Sequence, residues 1–392
     1  MRSLIFLFLV FETSLFLRSF ASPATDEGSG HSHSLATPKK LHPEKHTKTR
    51  RPQEMCAENN TPQKQLGRRG KAMDAFENTA ELVYQTLNRV ANHSWEWGAQ
   101  TQVICERYFP SLGVFSTTRQ LPLSKVDGPL CPPEKLLDLL DRILANRNTS
   151  QLPIIDGDGA SGDPASLGVA VMIIAATTSG DISKKYQTLA NNQIEWLLNH
   201  VPRSLEGALS HRDKEFQYWS DFLYMAPPFI AYYGAWSSNI TLLELAYDQA
   251  RLYRKALQDP HHKIWSWTHI KEGSFEDPGF WSTGNGWAAA GMMRLYATFH
   301  NLRDDNLRKK TETWRDDLAH WIAEIIDGAY TYQYADSSLL PNYLASNESK
   351  HNYPECAGTA IIVGIRDKKL LVISSFFAQT PSMSMTKDVS DD

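Results

Sequence analysis

The sequence predicts an all-α domain built from helical hairpins. Apolar residues recur at helical spacing in segments of roughly 15–20 residues, whereas strand-like alternation is scarce. The chain has 392 residues, 42% of them hydrophobic, which is enough to bury a sizeable core. No fixed-length repeat is visible, and this argues against a regular solenoid. The predicted helices cover residues 71–91, 134–146, 183–199, 240–257, 283–299 and 312–326.

The overall composition narrows the choice of partners. A net charge of -4, without a basic stripe, argues against nucleic-acid binding. The chain contains 11 Trp, 15 Tyr and 16 Phe residues. Aromatic rings serve packed cores first, but they also stack on sugar rings in clefts. Composition by itself therefore indicates a soluble, globular, aromatic-rich protein. We also expect it to be a monomer.

Residues 1–21 are typical of a secretory signal peptide. A basic residue is followed by an apolar run from Leu4 to Phe11, and the segment ends in small residues at Ala21. The apolar run is interrupted by Glu12 and is too short for a good membrane span. The sequence thus predicts a secreted, extracellular protein with no membrane segment in its mature form.

Two further features agree with export. The chain has five Asn-x-Ser/Thr sequons, at Asn59, Asn92, Asn148, Asn239 and Asn347. It also has four cysteines, which are compatible with two disulfides in an oxidising compartment: Cys56, Cys105, Cys131 and Cys356. Three pairings are possible, and we favour Cys105–Cys131 because these two are closest in sequence. No CxxC or CxxH spacing supports a zinc site.

The rest of the chain divides into three parts. Residues 22–66 are polar and rich in Pro, Ser, Thr, His and Lys, so they predict a disordered linker or propeptide. The helical pattern covers residues 67–365, which form one domain. Residues 366–392 are an atypical tail that suggests a truncated or mis-spliced end. IIVG and LLVISSFF, near this end, are the only strand candidates, although ECAGTAIIVG is also similar to the start of a helix.

Long loops dense in acids, glycines and aromatic residues precede several predicted helices. In the first, LPIIDGDGASGDPASLG, the acids Asp156, Asp158 and Asp163 do not follow the calcium pattern of an EF-hand. Asp163 precedes Pro164, so one interpretation makes it a helix N-cap. The other interpretation makes it a catalytic carboxylate.

The same two interpretations apply to Asp221. It stands between Trp219 and Phe222 and could cap the helix that begins there. A carboxyl surrounded by aromatic rings, including Tyr224, can also have a raised pKa that keeps its proton near neutrality. Two acids at the entrances of two helices are typical of a glycosidase, in which one donates a proton and the other orients water or substrate.

A third loop contains FWSTGNGW, residues 280–287. Gly284 and Gly286 permit close backbone approach, and Trp281 and Trp287 offer stacking faces, although a packed turn explains the pattern equally simply. No strand precedes it, so a dinucleotide site is excluded. Further binding candidates are the loop histidines His211 and His269, which are more often structural, and the ring of Trp97. No serine nucleophile elbow or reactive cysteine is present, which leaves the carboxylate pair.

These segments resemble a known family. HR…QYWSDFLYMAPPFIAYYG, followed about 50 residues later by DPGFWSTGNGWAAAGM, resembles the unsaturated rhamnogalacturonyl hydrolases of glycoside hydrolase family 105, and most of all their secreted fungal branch. The resemblance covers residues 70–362. It implies an (α/α)6 barrel of six helical hairpins and removal of a 4,5-unsaturated uronic acid from pectin (rhamnogalacturonan) oligosaccharides.

The resemblance also implies roles for the candidate residues. Asp221 would be the general acid that protonates the double bond before water adds at C5, and Asp163 would be the second carboxylate. No metal or organic cofactor is implied. The residues expected to contact the oligosaccharide are Trp219, Tyr224, Trp281, Trp287, His211, His269 and Trp97.

The chain departs from the family pattern in two places. Thr283 stands where many relatives have an arginine, the usual partner of a uronate carboxylate. About ten helices fit the sequence where the barrel needs twelve, so we expect the barrel to be incomplete at its C-terminus. Two alternatives follow: a glycosidase acting on saturated neutral glycans, and a non-catalytic, sugar-binding or truncated relative.

Overall fold

The computed structural model describes residues 71–259, 267–346 and 352–366, with side chains from residue 77. The predicted signal peptide and linker lie outside this part of the chain, as does the predicted tail apart from Arg366. Within the described part no helix is long and apolar enough to cross a membrane.

The described chain is mostly helical, as predicted, and its helices connect through long loops. The helices are α1 (Lys71–Val90), α2 (Ser94–Tyr108), α3 (Glu134–Leu144), α4 (Gly168–Thr177), α5 (Gly180–Asn199), α6 (Phe222–Met225), α7 (Pro227–Trp236), α8 (Ile240–Leu257), α9 (Ser282–His300), α10 (Asp305–Lys310), α11 (Glu312–Tyr330) and α12 (356–366). Two 3₁₀ turns lie at Lys125–Asp127 and Asp163–Leu167.

The helices pack as hairpins of one buried and one amphipathic member. In the first hairpin α4 is buried along almost its whole length and packs on α5. In the next, α7 packs on α8, whose start is capped by the Asn239 side chain accepting from the backbone N–H of Thr241 and Leu242. In the third, α9 packs on α11. The buried helices also contact one another, since α7 packs against both α4 and α9.

This arrangement explains which helices the sequence pattern predicted. The amphipathic helices α1, α3, α5, α8 and α11 follow the predicted segments closely. Helix α4, with the sequence GVAVMIIAAT, is apolar on every face, so it carries no periodic signal to detect. Of the two interpretations of IIVG, the strand is wrong and the helix that begins in ECAGTAIIVG is confirmed. These residues lie in α12, where Ile361 and Ile362 are buried in the core.

In the described part of the chain, six two-residue strands pair the loops with one another. They are β1 (Tyr218–Trp219), β2 (Ile270–Lys271), β3 (Phe280–Trp281), β4 (Leu340–Pro341), β5 (Tyr343–Leu344) and β6 (Pro354–Glu355). The antiparallel pairs are β1 with β2, β3 with β5, and β4 with β6. These short ladders hold residues from distant loops in fixed register.

The cysteine pairing that we favoured is wrong. Cys131 is disulfide-bonded, but Cys105 retains its thiol and is buried in the hydrophobic core on α2. Cys356 is an exposed thiol. Nearness in sequence did not predict the disulfide, because α2 buries Cys105 in the hydrophobic core, where it stays a thiol.

Candidate active site

Asp221 and His269 are brought together by the pairing of β1 with β2. Trp219 lies opposite Ile270 in this ladder, and the backbone N–H of Ser220 donates to the His269 carbonyl at 2.9 Å. Asp221 follows directly, at the start of α6. Its Oδ1 atom lies 3.5 Å from Nε2 of His269, and its side chain retains 16% exposure. The acid can therefore be reached from solvent.

Asp163 approaches the same region from the first loop. The backbone N–H of Ser161 donates to the His211 carbonyl at 2.7 Å, which joins this loop to the one before Asp221. Oδ1 of Asp163 lies 3.9 Å from Nε2 of His211. Because Phe222 packs against Gly162, the 3₁₀ turn that begins at Asp163 sits beside α6.

Neither acid occupies a helix start as a side-chain N-cap of the predicted kind. Asp163 lies inside the 3₁₀ turn, and the residue before it, Gly162, occupies the cap position. Asp221 occupies the cap position of α6, but its carboxylate makes no capping hydrogen bond. Its backbone is already in a helical conformation, which turns the side chain away from the free N–H groups. The capping interpretation is therefore wrong for both residues.

A cluster of rings joins the two acids. The His211 ring stacks on Trp219 with centroids 4.8 Å apart, and Trp219 meets His269 edge-on at 5.5 Å. On the other side of His269 lies Trp281, at 4.5 Å. A continuous series of contacts therefore joins five of the predicted residues, and Trp281 lies at its edge. The five are Asp163, His211, Trp219, His269 and Asp221. We call this series of residues the ring cluster.

The pKa of Asp221 is shifted in the direction opposite to the prediction. Burial by itself raises the pKa of this carboxyl, but the close contact and positive charge of His269 outweigh burial, so its pKa lies below the ordinary value. We predicted the reverse, a raised pKa. The prediction was wrong because sequence neighbours such as Trp219 indicate burial, whereas the nearest charge comes from a loop nearly 50 residues away.

His269 lies between two carboxylates. Its Nδ1 atom is 3.0 Å from Oδ2 of Asp277, opposite the contact with Asp221. Burial lowers the pKa of His269, but contacts with the two carboxylates and their charges outweigh this and raise it to about 9. Asp277 in turn accepts from the hydroxyl of Tyr343 at 2.6 Å. Sequence reasoning did not identify Asp277 or Tyr343, although Asp277 begins the second of the two quoted motifs.

His211 carries no charge near neutral pH. Burial lowers its pKa to about 4, against the opposing charge of Asp221, and the charges of Arg212 and His269 lower it further. The contact between His211 and Asp163 is therefore not an ion pair at pH 7. A neutral imidazole has one donor and one acceptor nitrogen, which suits the hydroxyl groups of a sugar. Its Nδ1 is buried and makes no hydrogen bond within the described chain.

The remaining aromatic candidates lie farther into the core. Tyr224 and Trp287 are both almost fully buried and contact each other at 4.4 Å. The indole N–H of Trp97 donates to the carbonyl of Ala91, so this residue offers a ligand only its ring face. Contact of these three residues with substrate stays a prediction.

Thr283 and the nearby glycines have structural roles. The Thr283 hydroxyl is buried and donates to Glu355 at 3.1 Å. The same carboxylate accepts from backbone N–H groups at the start of α12. A Cβ atom on Gly284 would lie 2.4 Å from Oγ of Ser220, and one on Gly286 would lie 2.9 Å from Ile361. Close approach at both glycines is therefore confirmed, and it seats α9 against the segment that carries Asp221.

Nothing in the described ranges gathers three or more His, Cys, Asp or Glu side chains in an arrangement able to hold a metal ion.

Comparison with solved structures confirms the predicted fold. A glycoside hydrolase from family 105 of Clostridium acetobutylicum ATCC 824 is similar over 76% of this chain and 78% of its own, with 18% identity and a TM-score of 0.55. A structure of UGL with dGlcA-Glc-Rha-Glc is similar over 77% of this chain and 81% of its own, with 10% identity and a TM-score of 0.50. Such neighbours have the six-hairpin glycosidase fold, the predicted (α/α)6 barrel.

Comparison of the sequence with families assigns the chain. No curated protein matches it. The model of Glycosyl Hydrolase Family 88 matches residues 135–366, which are more than half of the chain and include Asp163, Asp221, His269 and Asp277. The predicted relationship to these hydrolases is confirmed, while the fungal branch stays a prediction. The chain is a glycoside hydrolase and belongs to Glycosyl Hydrolase Family 88.

Proposed function

We propose that this protein is a secreted hydrolase that removes a 4,5-unsaturated uronic acid from the end of pectin (rhamnogalacturonan) oligosaccharides. The observation that carries the proposal is the ring cluster itself, in which two carboxylates from distant loops meet around aromatic faces. An accessible acid beside flat rings is what a sugar-cleaving site requires.

Arg212 supports an anionic sugar as the substrate. The positive charge of His269 is already balanced by Asp221 and Asp277, which contact its two ring nitrogens. The guanidinium of Arg212 lies 5.9 Å from the centre of the Trp219 ring. It can supply the charge-assisted contact to a uronate that the absence of arginine at position 283 removes.

The proposed chemistry is hydration of the double bond. A proton delivered by Asp221 adds to C4 of the unsaturated sugar, and positive charge develops at C5 and the ring oxygen. A water molecule then adds its oxygen to C5 and returns one proton to Asp221. The resulting hemiketal opens and releases the rest of the oligosaccharide. Asp163 and the neutral His211, which lie on the other side of Trp219, would bind the sugar hydroxyls.

The test uses rhamnogalacturonan cut by a lyase, whose product carries a double bond conjugated to the carboxylate. The wild-type protein should remove the ultraviolet absorbance of that bond, whereas the same oligosaccharides with saturated ends should not be cleaved. Release of sugar from saturated neutral glycans alone would support the alternative function, which Thr283 favours because it offers no cation. No release from either substrate would contradict both proposals.

Secretion requires a separate test. The basic start and apolar run of residues 1–21 support export. Mature protein recovered from the medium of a secreting host should begin after Ala21 or a nearby small residue when sequenced from its N-terminus. Retention of the first 21 residues in the cell-associated protein would contradict this proposal.

A further inference from the structure

The backbone of His269 is fixed by hydrogen bonds at both its N–H and its carbonyl. Its N–H donates to the carbonyl of Gly279 at 3.0 Å, and its carbonyl accepts from Ser220 at 2.9 Å. The ring contacts both Trp219 and Trp281, which limits its freedom to turn. The two ring nitrogens consequently face Asp277 and Asp221 at fixed distances.

Both carboxylate oxygens of Asp277 have hydrogen-bond partners. Oδ2 accepts from the Tyr343 hydroxyl at 2.6 Å and lies 3.0 Å from Nδ1 of His269, while Oδ1 accepts from the backbone N–H of Gly279 at 3.0 Å. Burial raises the pKa of Asp277, but these hydrogen bonds outweigh burial and lower it to about 2. Asp277 therefore stays anionic and fixed, and a proton remains on Nδ1 of His269.

The other nitrogen of His269 faces the accessible acid. His269 is more than nine-tenths buried, and its Nε2 makes no hydrogen bond of good geometry within the described chain, although it lies 3.5 Å from Asp221. With a carboxylate on each side, the imidazole is protonated on both nitrogens at neutral pH. Asp221 is then a carboxylate before substrate binds and does not itself hold the proton that the reaction needs.

We propose that Asp277, His269 and Asp221 form a proton relay, in which Asp277 positions His269 and His269 supplies the proton that Asp221 delivers to the substrate. The inference rests on the proposed function. When an anionic sugar displaces water beside Asp221, a charged carboxylate there becomes more costly, so the proton passes from Nε2 of His269 to Oδ1 of Asp221 and then to C4. The proton released by the attacking water returns by the same path, which restores the resting state.

The other groups around His269 do not compete for this role. The neutral His211 lies across Trp219 and contacts Asp163. Arg212 lies 5.9 Å from the centre of the Trp219 ring. Tyr343 reaches His269 only through Asp277. The acid that His269 can exchange a proton with at short range is therefore Asp221.

The decisive variant is Asp277→Asn. The amide preserves the shape of the side chain and can still accept from His269, but it removes one negative charge, so the pKa of His269 should fall. The alkaline limb of the kcat/KM profile should then move to lower pH by on the order of one unit, with reduced kcat at neutral pH. His269→Gln should lose about 10²–10⁴-fold in kcat. Tyr343→Phe removes only a hydrogen bond from Asp277 and keeps its negative charge, so it should not lower the pKa of His269 as Asp277→Asn does.

A matched control and a second readout make the test independent of activity alone. Asp158 pairs with His93 at 3.1 Å on the exposed rim, so Asp158→Asn removes an Asp–His contact of the same kind and should leave the profile unchanged. In the substrate-free protein, nitrogen NMR of the imidazole should show His269 mainly doubly protonated at pH 8, and a clearly smaller protonated fraction at the same pH in Asp277→Asn. His269→Gln assigns the signal.

The outcomes separate the relay from the proposed function. Wild-type turnover of unsaturated uronides, combined with an unchanged profile and an unchanged His269 titration in a folded Asp277→Asn protein, would overturn the relay alone. A wild-type protein that turns over no unsaturated uronide would overturn the proposed function and the delivery step together. A neutral His269 at pH 8 in the wild-type protein would overturn the relay whatever the activity.

Discussion

Nε2 of His211 lies 3.9 Å from Oδ1 of Asp163, yet the two residues do not form an ion pair at neutral pH. Burial keeps His211 uncharged, while His269, only one ring away across Trp219, is cationic. The site thus places two histidines of opposite protonation state beside two carboxylates. One histidine suits sugar hydroxyls, and the other suits an anionic group or proton transfer.

The first prediction concerns this neutral histidine. The folded-state pKa of His211 is about 4, below its ordinary value of 6.5, so the unfolded protein binds a proton more readily. The neutral form of His211 therefore contributes fully to the free energy of unfolding above pH 6.5, and this contribution is lost as pH falls toward 4. His211→Gln should therefore show a smaller decrease in Tm than the wild-type protein between pH 6.5 and 4, as measured by calorimetry. Parallel curves for the two proteins would contradict the assignment of His211 as neutral.

The second prediction concerns the acid at the start of α6. Asp221→Asn should reduce kcat on the unsaturated substrate by about 10²–10⁴-fold, because the amide cannot deliver a proton. Its Tm should stay close to that of the wild-type protein, since the amide occupies the same volume. Initial rates followed by the loss of ultraviolet absorbance provide the measurement. A variant that keeps wild-type kcat would exclude Asp221 as the proton donor.

The third prediction tests substrate charge through Arg212. Arg212→Gln should raise KM for the unsaturated uronide by about tenfold, since a hydrogen bond to a charged group contributes roughly 1.5–3 kcal/mol. KM for an oligosaccharide whose uronate is converted to its methyl ester should not change. The control is Arg251→Gln, which affects an exposed pair with Asp248 on α8. An equal increase with both substrates would show that Arg212 acts through packing.

The fourth prediction concerns the contact between α9 and α6. A Cβ atom on Gly291 would lie 1.9 Å from the backbone oxygen of Leu223, which cannot move without shifting α6. We expect Gly291→Ala to lower the free energy of unfolding by roughly 1–3 kcal/mol and to reduce kcat as well. Denaturant unfolding measures the first effect. Gly113→Ala, where the nearest atom lies 3.9 Å away, should change neither quantity.

The fifth prediction separates the cysteines. Cys131→Ser removes a disulfide and should lower the free energy of unfolding by about 2–5 kcal/mol. Cys356→Ser alters an exposed thiol and should leave the free energy of unfolding unchanged. Denaturant unfolding with and without a reducing agent provides the comparison. A reducing agent that destabilises the Cys131→Ser protein as much as the wild-type protein would contradict the assignment.

The sequence by itself determined the helical class, the amphipathic helices and the residues that meet in the ring cluster. Periodicity reports which face of a helix is buried, and this is a local property. The long loops that precede helices are rich in acidic and aromatic residues. This local feature identified Asp163, Asp221 and His269 as candidates. The family relationship also followed from two contiguous motifs, and the match over residues 135–366 bears it out.

Only the tertiary structure decided which groups carry charge. The pKa of Asp221 depends on His269, which lies 48 positions later in the sequence. The pKa of His269 depends in turn on Asp277, which accepts a hydrogen bond from Tyr343. The β1–β2 and β3–β5 ladders bring these residues into register. Electrostatic energy varies with distance and burial in three dimensions, so a local pattern of aromatic residues gave the wrong direction for Asp221. The cysteines show a similar limit, since Cys105 stays a thiol although Cys131, its nearest cysteine in sequence, is disulfide-bonded.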